Sequence, residues 1–420
     1  MAHCDSRMSD NVGMVAPAVA VRVAIDRDSP GARGGLGCVS NGTLVACTGA
    51  GDQAARPGLV VYDADGRRVW DDGGLLGPTS WLSAAMISSL GQVIAADQQW
   101  LVRVDPLTST TMWVAAKPDL GTPISPVPVG LQQDMVLLAT KTSTAGGTAE
   151  LSVWDMHTGA MLSHKVLVHP VTGASYETLN TPSVRGARAY VLASAIGNSN
   201  DGQLFAVDVC ESAACGGRGS FQVAWHVGFD GPSSASPLRS GDRIFFDGLQ
   251  GWRGGLYLAV DDLGDAGAIA WQRSFSGRFG ASSAHDPRGG LWVAPWQKGR
   301  LLRLNEATGA TEQLVDVSAV LGEAPGYSQV TAVSVSSTAA GSVVLTFGAQ
   351  SATDAFAPPY VAAIDVGAAP GGVLHWKNQV SPRPKFNAAT GQMPIVINAS
   401  GARRVVFKGT RSSTYFVGEP

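Results

Sequence analysis

The sequence carries little charge. Asp, Glu, Lys and Arg make up 15% of its 420 residues and nearly cancel, to a net charge of −3. An average soluble chain carries about 25%. No cluster of Lys and Arg stands out. A nucleic-acid binder needs a basic stripe to displace counterions from phosphates, so that class is set aside. No apolar run of about 20 residues occurs, so no membrane span is expected. The nearest candidate, Val12 to Ile25, contains Arg22 and is too short. The first eleven residues set Arg7 against Asp5 and Asp10 and lack the positive start of a secretory signal.

Motifs of common chemistries are absent as well. Neither the nucleophile-elbow pattern Gly-x-Ser-x-Gly nor a phosphate-cradling Gly-x-Gly-x-x-Gly occurs. The histidines are scattered at 3, 157, 164, 169, 226, 285 and 375. His164 and His169 do not share a strand face, so no metal site is expected. Asp63-Ala-Asp65-Gly66 imitates the start of a calcium loop without the Glu that should follow, and reads as a hairpin turn. Gly197-Asn-Ser-Asn-Asp-Gly202 is rich in oxygen ligands but reads as a plain loop.

Glycine, by contrast, is plentiful, at 52 of 420 residues, and apolar residues reach 45%. That composition suits many short strands joined by tight turns. The chain also repeats. The unit is an apolar strand ending in Asp or Asn, a polar turn, then a second strand with Trp. It reads Leu59-Val-Val-Tyr-Asp63 through Trp70, then Leu101-Val-Arg-Val-Asp105 through Trp113. Leu151-Ser-Val-Trp-Asp155 follows, then Leu204-Phe-Ala-Val-Asp208 with Trp225 and Leu256-Tyr-Leu-Ala-Val-Asp261 with Trp271. Leu301-Leu-Arg-Leu-Asn305 and Tyr360-Val-Ala-Ala-Ile-Asp365 with Trp376 complete seven copies. The Asp/Asn positions lie 42, 50, 53, 53, 44 and 60 residues apart, the size of a four-stranded propeller blade. Ser125-Pro126, Thr181-Pro182 and Ser236-Pro237 open inner strands, where no ladder donor is required.

The expected fold is therefore all-β, a single β-propeller of eight four-stranded blades, with seven blades as the alternative. The eighth unit (Met393–Ile397, Arg404–Phe407, Thr414–Val417) lacks a last strand. Ala18–Ile25 is an apolar strand without a partner and is expected to supply it, closing the ring and hiding two sheet edges. Residues 1–17 are expected to be a disordered N-terminal tail and 18–420 the propeller.

The repeats resemble those of quinoprotein-like (pyrroloquinoline quinone repeat) propellers, best at Val153-Trp-Asp155-Met-His-Thr158-Gly159 and Leu304-Asn305-Glu-Ala-Thr308-Gly309 and in the Trp residues at 70, 113, 225, 271 and 376. The resemblance spans about residues 20 to 418. It implies that each Trp packs between neighbouring blades. The family includes both quinone-dependent dehydrogenases and non-enzymatic scaffolds. The dehydrogenases typically place a vicinal Cys-Cys pair over the cofactor, and this chain has no adjacent cysteines. Their calcium-binding acid, Asn and catalytic Asp match no motif here.

Four cysteines fall in two close pairs. Cys38 and Cys47 flank a hairpin whose Asn41-Gly42 is expected as a two-residue turn, setting Cys38 opposite Val45 and Cys47 one diagonal step away. Cys210 and Cys215 sit at the tip of a strand connection. Both pairs are expected as disulfides, hence an oxidising, extracytoplasmic location although no signal peptide is visible.

In a propeller, the blade links and the loops from second to third strand emerge on one face. Here those loops are long while the opposite turns are short, so binding is expected on the long-loop face. Its candidate contact residues are Trp81, Tyr176, Glu177, Asp230, Trp252, Arg253, Arg278, Trp296, Tyr327 and Lys385, large aromatic or charged side chains of the kind that anchor interfaces. The expected function is a monomeric, non-enzymatic binding scaffold, without cofactor, for a protein or small-molecule ligand. The alternative is an oxidoreductase with pyrroloquinoline quinone and calcium over the central channel.

Overall fold

The computed structural model describes all residues except 1–10, 20, 27–36, 50–57, 77–84, 98, 118–126, 132, 141–147, 196–200, 234, 251–253, 278, 280–281, 296–297, 355–356, 380–393, 400, 410–412 and 420. Eight antiparallel sheets of radial strands form the blades. From inner to outer strand, blade one runs from Cys38–Ser40 to Arg68–Asp71, blade two from Met86–Ile87 to Thr110–Ala116, and blade three from Val127–Leu131 to Met161–Val166. Blade four runs from Ser183–Arg185 to Phe221–Phe229, blade five from Leu238–Ser240 to Gly267–Phe275, and blade six from Ala284–Asp286 to Thr311–Asp316. Blade seven runs from Ser334–Ser337 to Val373–Gln379. Blade eight begins at Ile395–Ala399, and its outer strand is Val21–Asp26, paired antiparallel with Ser413–Gly418. The N-terminal strand thus closes the ring, which joins first and last blades through backbone hydrogen bonds and leaves no open sheet edge at the seam.

The recurring Asp is a turn device. Asp155 Oδ1 accepts from His157 N (2.9 Å), Thr158 N (2.8 Å) and Thr158 Oγ1 (2.9 Å). Asn305 Oδ1 does the same for Ala307 N, Thr308 N and Thr308 Oγ1. A side-chain acceptor held two and three residues back stabilises the reversal into the outer strand. Asp63 Oδ1 likewise takes Asp65 N and Arg67 N, so the calcium-loop look-alike is a hairpin turn.

In blades two, four, five and seven the Trp of the outer strand then locks onto the unit that follows. Trp113 Nε1 donates to Met156 O at 3.0 Å, Trp225 Nε1 to Asp262 Oδ1 at 2.8 Å, and Trp271 Nε1 to Glu306 O at 2.8 Å. Trp376 Nε1 donates at 2.9 Å to Pro17 O, in the segment that leads into the outer strand of blade eight. Between blades the flat sheet faces bury continuous apolar layers such as that of Leu137, Val153, Val191 and Val207.

Two arrangements differ from expectation. Asn11–Val15, placed in the tail by sequence, is a strand that pairs in parallel with Ser334–Ser337, the inner strand of blade seven. The inner edge of a blade presents unpaired backbone to the channel, and this segment satisfies it. Ala16 N continues the pairing to Ser337 O at 2.7 Å. The chain therefore runs along the inner strand of blade seven before it supplies the outer strand of blade eight. The second difference is at Asn41, whose Oδ1 accepts from Thr43 N (3.1 Å) and Leu44 N (2.9 Å). That lengthens the turn, and Ser40 pairs with Val45. Cys38 consequently lies directly opposite Cys47, and the two form a disulfide with Cα atoms 4.1 Å apart. Cys210 and Cys215 form the second, around a 3-10 turn at Ala213–Cys215. Among the described residues no helix is long and apolar enough to cross a membrane.

Candidate functional site

The long-loop face gathers a set of buried polar groups. At the channel mouth they bridge consecutive blades. Asn180, just before the inner strand of blade four, donates its amide to Ser233 O (2.9 Å) and Ala235 O (2.7 Å) in the link to blade five. Ser233 Oγ donates to the Asp247 carboxylate, and Ser236 N donates to Ser282 Oγ of blade six at 3.2 Å. Tyr257 OH reaches Ser283 Oγ at 2.5 Å. These residues surround the Ser-Pro and Thr-Pro openings of the inner strands, where a missing N–H ends the ladder and side chains take over.

Further out, between blades two and three, Glu150 is buried and its Oε2 lies 3.3 Å from His164 Nδ1. Burial raises the Glu150 carboxyl above its usual range, outweighing the pull of His164 and Lys117. Burial lowers the Lys117 amine to about 8 although Asp97 and Glu150 oppose it. Burial thus disfavours the charged form of both Glu150 and Lys117, the kind of perturbation that marks candidate functional groups. Between blades three and four, His169 Nε2 contacts Asp201 Oδ1 at 3.3 Å. The two histidines considered from sequence as a metal pair thus serve separate carboxylates. A cavity of about 430 Å³ opens between blades six and seven, lined by Lys298, Arg300, Asp316, Glu323 and Tyr327 among others.

Of the contact residues expected from sequence, Tyr176, Glu177 and Tyr327 are buried and Asp230 is exposed. Tyr176 packs edge-on against Phe205, and Tyr327 OH donates to Pro358 O at 2.7 Å, so both rings fill the base of the loops. Trp81, Trp252, Arg253, Arg278, Trp296 and Lys385 lie outside the described residues. The sequence reading missed Glu150, Lys117 and Asn180. Nothing in the local sequence marks Lys117 or Glu150. The Thr181-Pro182 step after Asn180 was the one available signal.

Cofactor fit divides by chemistry. Among the described residues no three His, Cys, Asp or Glu side chains gather to hold a metal ion. The disulfides join residues 9 and 5 positions apart, so neither forms a vicinal platform. Hydroxyl donors are present: Ser183 and Ser334 at the long-loop ends of inner strands, and Tyr176, have buried oxygens without a hydrogen-bond partner. A quinone's carbonyl and carboxylate oxygens are acceptors that match such donors.

The ring, its Asp turns and its docked Trp residues define an eight-bladed β-propeller fold. No family model and no curated protein matches the sequence. Solved structures do match the fold. A quinohemoprotein alcohol dehydrogenase from Comamonas testosteroni aligns over 99% of this chain and 80% of its own, with TM-score 0.65 and 11% identity. A europium-containing methanol dehydrogenase aligns over 99% and 97%, with TM-score 0.63 and 11% identity. Sqt1 of Saccharomyces cerevisiae aligns over 97% and 100%, with TM-score 0.55 and 10% identity. The first two correct the expectation of a cofactor-free, non-enzymatic scaffold, because the rings most similar among these three are dehydrogenases.

Proposed function

We propose that the protein is an exported oxidoreductase of the quinoprotein type, acting on a small alcohol at the long-loop mouth of the ring. The observation that carries this reading is the match of the ring, over 99% of the chain, to a quinohemoprotein alcohol dehydrogenase. The two disulfides support an oxidising compartment. Pyrroloquinoline quinone, when bound, supplies the two-electron acceptor that alcohol oxidation requires. The residues of this chain would contribute hydrogen-bond donors from Ser183, Ser334 and Tyr176. The Glu150–His164–Lys117 group stands ready to accept a proton on the same face. The loop residues Trp81, Trp252, Arg253, Arg278, Trp296 and Lys385 belong to the proposal as contacts. The test is a titration with pyrroloquinoline quinone, with and without calcium, read by quenching of tryptophan fluorescence and followed by dye reduction with a series of alcohols. Saturable binding with alcohol-dependent dye reduction is expected, and Trp252→Ala with Trp296→Ala should weaken both. Absence of binding and of turnover under either condition refutes the reading.

A further inference from the structure

The cavity of about 430 Å³ between blades six and seven has two cations in its lining, Lys298 and Arg300. Its walls are held by hydrogen bonds within the chain. Asp316 Oδ1 caps the short helix Val317–Leu321 by accepting from Ala319 N at 3.0 Å. The link that follows is tied to this helix by Tyr327 N, which donates to Ser318 Oγ at 3.2 Å. Gly299 N donates to Ser328 O at 3.3 Å and so fixes the loop that carries Lys298. Tyr327 is buried, and its ring centroid lies 5.7 Å from that of Tyr360.

Arg300 lies directly opposite Asp316 in the strand ladder, the usual position for a cross-strand ion pair. The Asp316 carboxylate is instead turned to the helix, and Arg300 is exposed. Lys298 lays its stem along the link from blade five, where a Cβ on Gly277 would lie 2.7 Å from Lys298 Cε. Among the described residues neither cation forms an ion pair. Glu323, the other acid in the lining, is taken by Lys377, whose Nζ lies 2.6 Å from Glu323 Oε1. The charge of Asp354 reaches Tyr327, but Asp354 does not line the cavity. The undescribed residues 278, 280–281, 296–297 and 355–356, next to these segments in sequence, include no acid. Lys298 and Arg300 against Asp316 therefore leave the lining with one net positive charge.

We propose that this cavity binds a small organic monocarboxylate. The planar guanidinium of Arg300 matches a carboxylate in bidentate geometry, and the Lys298 ammonium adds a point charge. One net positive charge suits a monoanion, and Asp316 beside Arg300 disfavours a dianion such as phosphate. Ala319, Pro325 and Tyr327 offer apolar surface to the body of the acid. The site does not depend on the oxidoreductase reading, and its test needs no cofactor.

The experiment is isothermal titration of the full chain with sodium benzoate and with sodium hexanoate near neutral pH, at constant ionic strength. Benzyl alcohol and inorganic phosphate are titrated beside them. Saturable binding of at least one of the two carboxylates is expected, tighter than that of the alcohol or of phosphate. Arg300→Gln and Lys298→Gln should each weaken it by about tenfold, the effect of losing a charge-assisted hydrogen bond. Both side chains are at the surface, so an unchanged Tm is expected and checks that the variants keep the fold. A crystal soaked in para-bromobenzoate should show an anomalous bromine peak inside the cavity. No saturable binding of either carboxylate, equal binding of benzyl alcohol, or tighter binding of phosphate overturns the proposal. So does an affinity that both variants leave unchanged, or a bromine peak at another place.

Discussion

Replacing Gly159 by Ala isolates the contact that repeats around the ring. Gly159 closes the Thr-Gly turn of blade three at φ +72°, and a Cβ there would lie 2.7 Å from Trp113 Cε3 and 2.8 Å from Cδ2. Gly173 has nearly the same φ, +71°, but a Cβ there would meet nothing within 4 Å. Both substitutions force a left-handed alanine, at about 1–2 kcal/mol, partly offset by reduced freedom of the unfolded chain. Gly173→Ala should therefore cost about 1 kcal/mol. Gly159→Ala must also displace the indole of the preceding blade, adding about 1–3 kcal/mol of overpacking. For a chain of 420 residues the unfolding entropy is about 0.9 kcal/mol/K, so each kcal/mol moves Tm by about 1 °C. The expected losses are about 1 °C for Gly173→Ala and about 2–4 °C for Gly159→Ala, resolvable by differential scanning fluorimetry. In a Trp113→Ala background the excess should vanish, because the ring that clashes has gone. Equal losses at the two glycines, or an unchanged cost without Trp113, would refute the view that the turn glycine exists to seat the neighbouring Trp.

Three further outcomes follow from particular contacts. Four of the five cysteines are in disulfides, so intact mass after alkylation without reductant should show one modified thiol, and five after reduction. Asp286 is fully buried. Its burial pushes the carboxyl up, but bonds from Arg288 and Arg303 outweigh it and hold it at about 2. That stability is present above the unfolded value near 3.8 and is lost as pH falls through 2. Acid unfolding of the wild type should lose about 2 kcal/mol over this window, a loss that Asp286→Asn does not show. Deleting residues 1–17 removes the acceptor of Trp376 Nε1 and the strand on the channel edge of blade seven. The expected loss is about 2–4 kcal/mol with a red shift of tryptophan emission, and an unchanged spectrum would contradict the channel position of Asn11–Val15.

The sequence by itself determined the blades. Strand period, the Asp turn and the Trp strand are local patterns, each set by backbone geometry within about ten residues, and they recur often enough to count the ring. Even the closing strand was legible, because Ala18–Ile25 is apolar and has no neighbour in sequence to pair with. Only the tertiary structure decided what pairs at long range. Asn11–Val15 binds a strand more than 300 residues away, and a channel edge exists only after the ring has closed. The register of Cys38 and Cys47 turned on Asn41 capping its own loop, which the Asn-Gly dipeptide alone does not reveal. Lys408 looks like a surface residue in a short polar turn, and Glu150 like any strand end. The packing of one blade on the next removes water from both, and that desolvation gives them their altered chemistry.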